Sequence, residues 1–260
     1  MKKIIITFTI HGFMTMTSQA ALVFDEEFGS LPDGTTLTTS NTDFTYIRKG
    51  SGASDPAVIR PAQVGSGSSI FVKGVSGSLT GVGVKETLTL SSIYTMSVNF
   101  RFTDVSSGNV VIGVGNGSSL SGNSTFTTSH GLFWLQSDNG NFEHRISGKW
   151  SNVNEATTFE DDTNYSLQVI ANGGSNSLSY SGGDVAAGKM DIYLNGNLLE
   201  DDVAVTNSLT ANGFRIYSVN GVGVEIDDVK LWNEAIAVPE PSSAALHGLA
   251  GLVLLTRRRK

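Results

Sequence analysis

The chain has 260 residues, a formal net charge of -7 and no cysteine, so disulfides and thiolate chemistry are excluded and stability must come from packing or a bound cation. Charged residues make up 16% and glycines number 30, a polar but weakly charged composition common in secreted β-proteins. The acidic balance and the lack of a basic stripe in the body argue against a nucleic-acid partner, because that binding rests on Lys and Arg neutralising phosphates.

Residues 1–20 read as a secretory signal peptide, which implies secretion machinery and a signal peptidase. Lys2 and Lys3 form the charged start, Ile4 to Ile10 the apolar run, and Ser18-Gln19-Ala20 a small-x-small cleavage site. The alternative is a retained first strand or helix, since the alternation of Ile and Thr is strand-like.

The body, 21–237, shows short period-two apolar runs separated by Gly, Asn, Asp and Ser. Tyr94, Met96, Val98, Phe100 and Phe102 alternate with Thr95, Ser97, Asn99, Arg101 and Thr103, as expected of a half-buried strand. Tyr165, Leu167, Val169 and Ala171 repeat the pattern, and so do Met190, Ile192 and Leu194. Asn195-Gly196 then predicts a hairpin, because the pair supplies the positive φ values of a type I′ turn. Gly113 to Gly122 and Asn172 to Gly188 are too rich in Gly, Ser and Asn for core strands and are expected to be long loops. No helical stretch interrupts the body. Many short strands separated in this way predict an all-β, antiparallel two-sheet sandwich.

The end of the body carries a resemblance. Gly213-Phe214-Arg215-Ile216-Tyr217 followed by Val224 to Trp232, with the Tyr193-Leu194-Asn195-Gly196 hairpin before both, resembles the closing strands of laminin-G-like or concanavalin A-like jelly rolls. Phe24-Asp25-Glu26-Glu27-Phe28 is similar to their acidic first strand, and the resemblance implies that first and last strands pair side by side. In the last strand Val224 and Ile226 share one parity while Val229 and Leu231 share the other. The strand must bury both faces or carry a bulge near Asp227-Asp228.

Several of these jelly rolls hold a calcium ion between first and last strands, and the resemblance implies Asp25, Glu27 and Asp227 as oxygen ligands for a structural calcium. The alternative is solvated surface carboxylates. Laminarinase-type glycosidases of the fold carry Glu-x-Asp-x-x-Glu on one strand; Glu225-Ile226-Asp227-Asp228-Val229-Lys230 ends in Lys, lacks the second glutamate and is read as no active site. His130 and His144 have no partner at metal-ligand spacing and are read as solvated positions. The body is therefore expected not to be an enzyme.

For binding, Gly131 to Trp150 gathers aromatic rings and amides suited to sugars, whose apolar faces stack on Trp while hydroxyls meet amide groups. Trp134, Gln136, Asn139 and Trp150 are the candidate sugar-binding residues. The alternative for Trp134 is a place in one buried strand, since Leu132 to Leu135 is continuously apolar.

The last segment, 238–260, has three parts: Pro239-Glu240-Pro241 with two serines after it, an apolar run from Ala244 to Leu255, and Arg257, Arg258, Arg259 and Lys260. The prolines favour an extended spacer. A helix over the run is somewhat short of the roughly 20 residues that span a bilayer comfortably, and the terminal cations act as a cytoplasmic stop. The alternative is a buried C-terminal helix. This order resembles the PEP-CTERM sorting signal, in which Pro239, Glu240 and Pro241 match the motif. The resemblance implies transient inner-membrane anchoring in a Gram-negative-type bacterium, recognition by an exosortase-type enzyme, and release to the cell surface or extracellular matrix. The whole reads as a secreted, lectin-like sandwich that associates with extracellular polysaccharide. The alternatives are a structural or adhesive matrix protein without a ligand, and an unrecognised glycan hydrolase.

Overall fold

The computed structural model describes residues 21–29, 31–48, 57–75, 78–84, 87–116, 131–146, 149–153, 157–206 and 211–236, with backbone alone for 131–134. The signal segment 1–20, the tail 238–260 and His130 lie outside the described residues. In chain order the strands are β1 (Leu22–Glu26), β2 (Tyr46–Arg48), β3 (Val58–Pro61), β4 (Ser68–Lys73), β5 (Leu79–Val84), β6 (Ile93–Thr103), β7 (Asn109–Gly115), β8 (Gly131–Asp138) and β9 (Asn141–Ile146). There follow β10 (Lys149–Asn152), β11 (Asn164–Asn172), β12 (Leu178–Tyr180), β13 (Gly183–Val185), β14 (Lys189–Leu194), β15 (Asn197–Ala204), β16 (Gly213–Val219) and β17 (Gly223–Trp232). A 3-10 turn at Val105–Ser107 is the helical element among the described residues.

The strands form the expected two-sheet antiparallel sandwich. One sheet has the order β15-β14-β11-β6-β17-β4-β3, with β1 also on β17; the other runs β10-β9-β8-β7-β16-β5-β2. Period-two burial builds the core between them. Tyr94, Met96, Val98, Phe100 and Phe102 on β6 face Val110, Ile112, Val114, Phe214 and Ile216 of the other sheet in one apolar cluster. Aromatic contacts reinforce both ends: Phe100, Phe159 and Tyr165 lie with centroids 4.9 to 5.5 Å apart, and Phe24 meets Phe214 edge-on at 4.9 Å.

First and last strands pair, with Asp25 opposite Lys230. The parity switch in β17 resolves as a bulge: its register against β6 shifts between Asp227 and Lys230, and Asp228 adopts φ 50°. Val224, Ile226, Val229 and Leu231 thereby all enter the core. Asn195 and Gly196 take φ 52° and 75°, the hairpin turn their sequence demands.

Two of the expected loops contain strand. β7 continues through Gly113 to Gly115, paired to Arg215 and Gly213 of β16, because a neighbouring strand supplies the bulk that glycine lacks. Between Asn172 and Gly188 the chain forms the β12–β13 hairpin. Leu178, Tyr180 and Val185 pack there on Ile170 and Tyr193, on the outer face of the eight-stranded sheet, so a small apolar cluster outweighs the polar composition.

The chain leaves the sandwich over that same outer face. Thr95 Oγ1 donates to the carbonyl of Glu234 at 2.7 Å and accepts from the N–H of Ile236 at 3.1 Å, and Gln168 Nε2 donates to the Ile236 carbonyl at 3.3 Å.

Candidate ligand-binding face

On β16 the even positions Phe214 and Ile216 enter the core, so Arg215, Tyr217 and Val219 stand on the outer face of the seven-stranded sheet. The register extends this row. Arg215 lies opposite Gly113 on one side and Gly83 on the other, and Gly83 lies opposite Tyr46. Tyr217 is flanked by Val111 and Gly81. The glycines are a consequence of close approach: a Cβ on Gly81 would come within 2.4 Å of Tyr217 Cβ, and one on Gly83 within 2.2 Å of the Phe214 carbonyl oxygen.

This face is curled. Trp150 sits on edge strand β10, yet it packs against the cluster of Leu79, Val111 and Tyr217. β7 lies three inter-strand steps from β10 and β16 four, about 14 to 19 Å along a flat sheet at about 4.8 Å per step. An indole cannot bridge that gap, so the β9–β10 edge bends toward the outer face. The Arg145 guanidinium, directly opposite Trp150 on the neighbouring strand, lies 5.4 Å from the Trp150 ring.

The floor is closed from solvent, with Arg215 1% and Tyr217 0% exposed, while Tyr46, Arg48, Glu143, Arg145 and Trp150 remain half-buried around it. Arg215 Cζ lies 4.4 Å from the Tyr217 ring, a desolvated cation–π contact. Burial pushes the Tyr217 phenol well up, opposed by the charges of Arg215 and Arg145. Burial also lowers the Arg145 guanidinium from its usual value. Among the described residues this face thus brings together two arginines, Arg145 and Arg215, and three rings, Tyr46, Trp150 and Tyr217.

The four residues expected to bind sugar are placed differently. Trp150 is on this face, half-buried. The backbone of Trp134 pairs with Gly113, beside Arg215; its side chain lies outside the described ones. Gln136 is 5% exposed, donates to Glu143 Oε2 at 2.5 Å and accepts from Asn109 Nδ2 at 3.4 Å, so it braces Glu143. Asn139 occupies the exposed β8–β9 turn at φ 49°, six positions from Arg145 and so about 20 Å along the strand. Arg215, Tyr217 and Tyr46 were not legible as a site, although the outward parity of Arg215 and Tyr217 and the glycines on neighbouring strands were signals for them. His144 corrects the expectation of a solvated position: it is 5% exposed and turned inward, and burial lowers its pKa.

The acidic residues gather on the eight-stranded sheet. Asp25 and Glu27 share the Lys230 ammonium at 3.6 and 2.7 Å, with Asp228 at 3.8 Å. Asp227 points elsewhere: its Oδ2 accepts the Ser66 N–H at 3.1 Å, its Oδ1 is buried without a hydrogen bond, and burial raises its pKa to about 7. Asp191, Asp201 and Asp202 bring carboxylate oxygens within 4.8 Å of one another, but both oxygens of Asp191 are already engaged, by the Tyr180 hydroxyl and the Asp202 N–H.

No protein-family model and no curated protein matches the sequence. Among solved structures the chain is similar to the botulinum neurotoxin serotype G binding domain (11% identity, 76% of this chain and 45% of that one, TM-score 0.45). It is also similar to the binding domain of Paraclostridial Mosquitocidal Protein 1 (15%, 82% and 49%, TM-score 0.47). A third is domain 4 of a GH43 extracellular arabinanase from Geobacillus stearothermophilus in complex with arabinotriose (14%, 83% and 94%, TM-score 0.49). The chain spans about half the length of the two binding domains. At these identities and scores the likenesses bring neither ligand nor activity to this chain.

Proposed function

We propose that this protein is a non-catalytic glycan-binding sandwich, exported and then handled at its C-terminus, whose ligand face is the curled outer face of the seven-stranded sheet. The observation that carries the reading is the packing of Trp150 over the Leu79, Val111 and Tyr217 cluster, beside Arg145. It sets a part-buried indole on the outer face, beside the buried Arg215 and Tyr217. A pyranose stacks its apolar face on such a ring, while guanidinium groups and the Glu143 carboxylate meet its hydroxyls.

Delivery rests on the sequence of the two ends. The signal segment 1–20 directs export. Pro239-Glu240-Pro241, the apolar run and the Arg257 to Lys260 cluster form a PEP-CTERM-type signal that an exosortase would process. The last described residues, Glu234 to Ile236, lie on the outer face of the eight-stranded sheet, opposite the proposed ligand face. That arrangement suits a protein tethered at one surface while engaging extracellular polysaccharide at the other. Two experiments test the reading. Glycan-array binding by the purified full-length chain is expected, and Trp150→Ala is expected to abolish it with the fold intact by circular dichroism. Absence of binding to any glycan would favour a purely structural matrix protein. Deletion of 238–260 is expected to change the cellular fraction in which the protein is found.

A further inference from the structure

Period two turns alternate side chains of β9 to opposite sides, so Glu143 and Arg145 share the outer face of the seven-stranded sheet while Phe142 and His144 point inward. On β10 the partner of Arg145 is Trp150, and that of Glu143 is the exposed Asn152. Glu143 and Trp150 are therefore diagonal neighbours on one face, about 7 to 8 Å apart. A disaccharide covers that span.

The carboxylate of Glu143 is held in one orientation by two amides in series. Its Oε2 accepts from Gln136 Nε2 at 2.5 Å, and Gln136 Oε1 accepts from Asn109 Nδ2 at 3.4 Å. A carboxylate only accepts, so the Gln136 amide has one way round, nitrogen to Glu143 and oxygen to Asn109. Gln136 is 5% exposed and acts from behind. Among the described residues no other side-chain hydrogen bond or ion pair reaches Glu143, which leaves Oε1 as a spare acceptor on a half-buried side chain. Fixing a long side chain costs rotamer entropy. A carboxylate that only faced water would gain nothing from such a brace.

We infer that Glu143 sets which glycan this face accepts: an uncharged sugar chain that presents a hydroxyl donor to Oε1 while a ring rests on Trp150. This rests on the glycan-binding reading and narrows it to neutral glycans. A hydroxyl both donates and accepts, so one hydroxyl of the chain donates to Glu143 while another accepts from the Arg145 guanidinium, which carries donors only. A uronate or sulfate group brings acceptors alone, and its charge is set against that of Glu143. Glu143 is thus the specificity-determining residue, and Gln136 and Asn109 are positioning residues that act through it.

The test is binding of the full-length protein to a glycan array of neutral and uronic acid oligosaccharides matched in length and linkage, cellohexaose and its C6-oxidised counterpart among them. The glycans bound are expected to be neutral, each at least about tenfold tighter than its uronic counterpart at low salt. Part of that preference is expected to remain at about 1 M salt, where the Debye length is about 3 Å, because a missing donor is not screened. Glu143→Gln, whose amide offers a donor as well as an acceptor, is expected to remove most of the preference while the circular dichroism spectrum stays that of the parent. Asn109→Ala, which loosens the brace at its far end, is expected to reduce the same ratio by a smaller factor and supplies a second variant should Glu143→Gln fail to fold. A uronic acid or amino-sugar glycan as the preferred ligand, or a ratio that neither variant moves, overturns the assignment of Glu143. If Trp150→Ala still abolishes binding in that case, the broader glycan reading survives; binding of no glycan sinks both.

Discussion

The Asp227 carboxylate is buried against the backbone N–H of Ser66, 3.1 Å from its Oδ2, with its other oxygen left unbonded. Burial, the neighbouring Asp228 charge and Glu27 hold its pKa up to about 7, against the lowering effect of backbone N–H groups. The folded protein therefore keeps this proton over a range in which the unfolded chain, with an ordinary Asp near 3.8, has lost it. Stability from this group is greatest below about pH 4 and declines as pH rises toward 7, by at most about 1.4 kcal/mol per pH unit, then levels off. Asp227→Asn is expected to flatten that slope and to be more stable than the parent at pH 8. Denaturant midpoints from pH 4 to pH 8 decide it; parallel pH profiles for parent and variant would contradict it.

Gly65 is the other half of this contact. Its φ is +68°, and a Cβ there would lie 1.9 Å from Asp227 Oδ2. Gly65→Ala is expected to cost at least about 2 kcal/mol, from the left-handed backbone and the collision together. Combining it with Asp227→Ala removes the collision but not the strained φ, so the double variant should lose less than the sum of the single losses. Strict additivity in urea unfolding would show that the two positions do not meet.

Lys230 stands where a cation between the first and last strands would be expected. Its ammonium contacts Glu27, Asp25 and Asp228, and Glu27 holds its pKa up. A chelator is expected to leave the melting temperature of the parent unchanged. Lys230→Met strips the positive charge from three carboxylates and creates a cluster of hard oxygen donors. Calcium is then expected to raise the melting temperature of the variant and not of the parent. Chelator-sensitive melting of the parent would show that the ion displaces the lysine.

Much of the fold was legible because it rests on period two and turn chemistry. Tyr94 to Phe102 declared their buried face and Asn195-Gly196 their turn, and the changed parity between Ile226 and Val229 called for either two buried faces or a bulge in β17, of which the structure has the bulge. The strands hidden in Gly113 to Gly115 and in 178–185 were not legible, because their stability comes from partners distant in sequence: Arg215 and Gly213 for the first, Ile170 and Tyr193 for the second. The proposed ligand face was half legible. Trp150 stood out as an aromatic in a polar stretch, whereas Arg145 was not singled out, and Arg215 and Tyr217 join Trp150 only through a curl of the sheet that no local pattern encodes. Asn139 lay near in sequence but at the wrong end of its strand. Of Asp25, Glu27 and Asp227, named as calcium ligands, the first two share the Lys230 ammonium and the third turns to Ser66.

The central claim is that the outer face of the seven-stranded sheet is the ligand face, and its most direct measurement is amide hydrogen exchange of the full-length protein with and without a saturating concentration of the oligosaccharide that binds best on the glycan array. Slowed exchange is expected in 141–146 and 149–152, around Arg145 and Trp150, with 178–204 and 223–232 on the opposite sheet unchanged. Protection confined to the eight-stranded sheet, or no protection at a concentration that saturates binding, would contradict it.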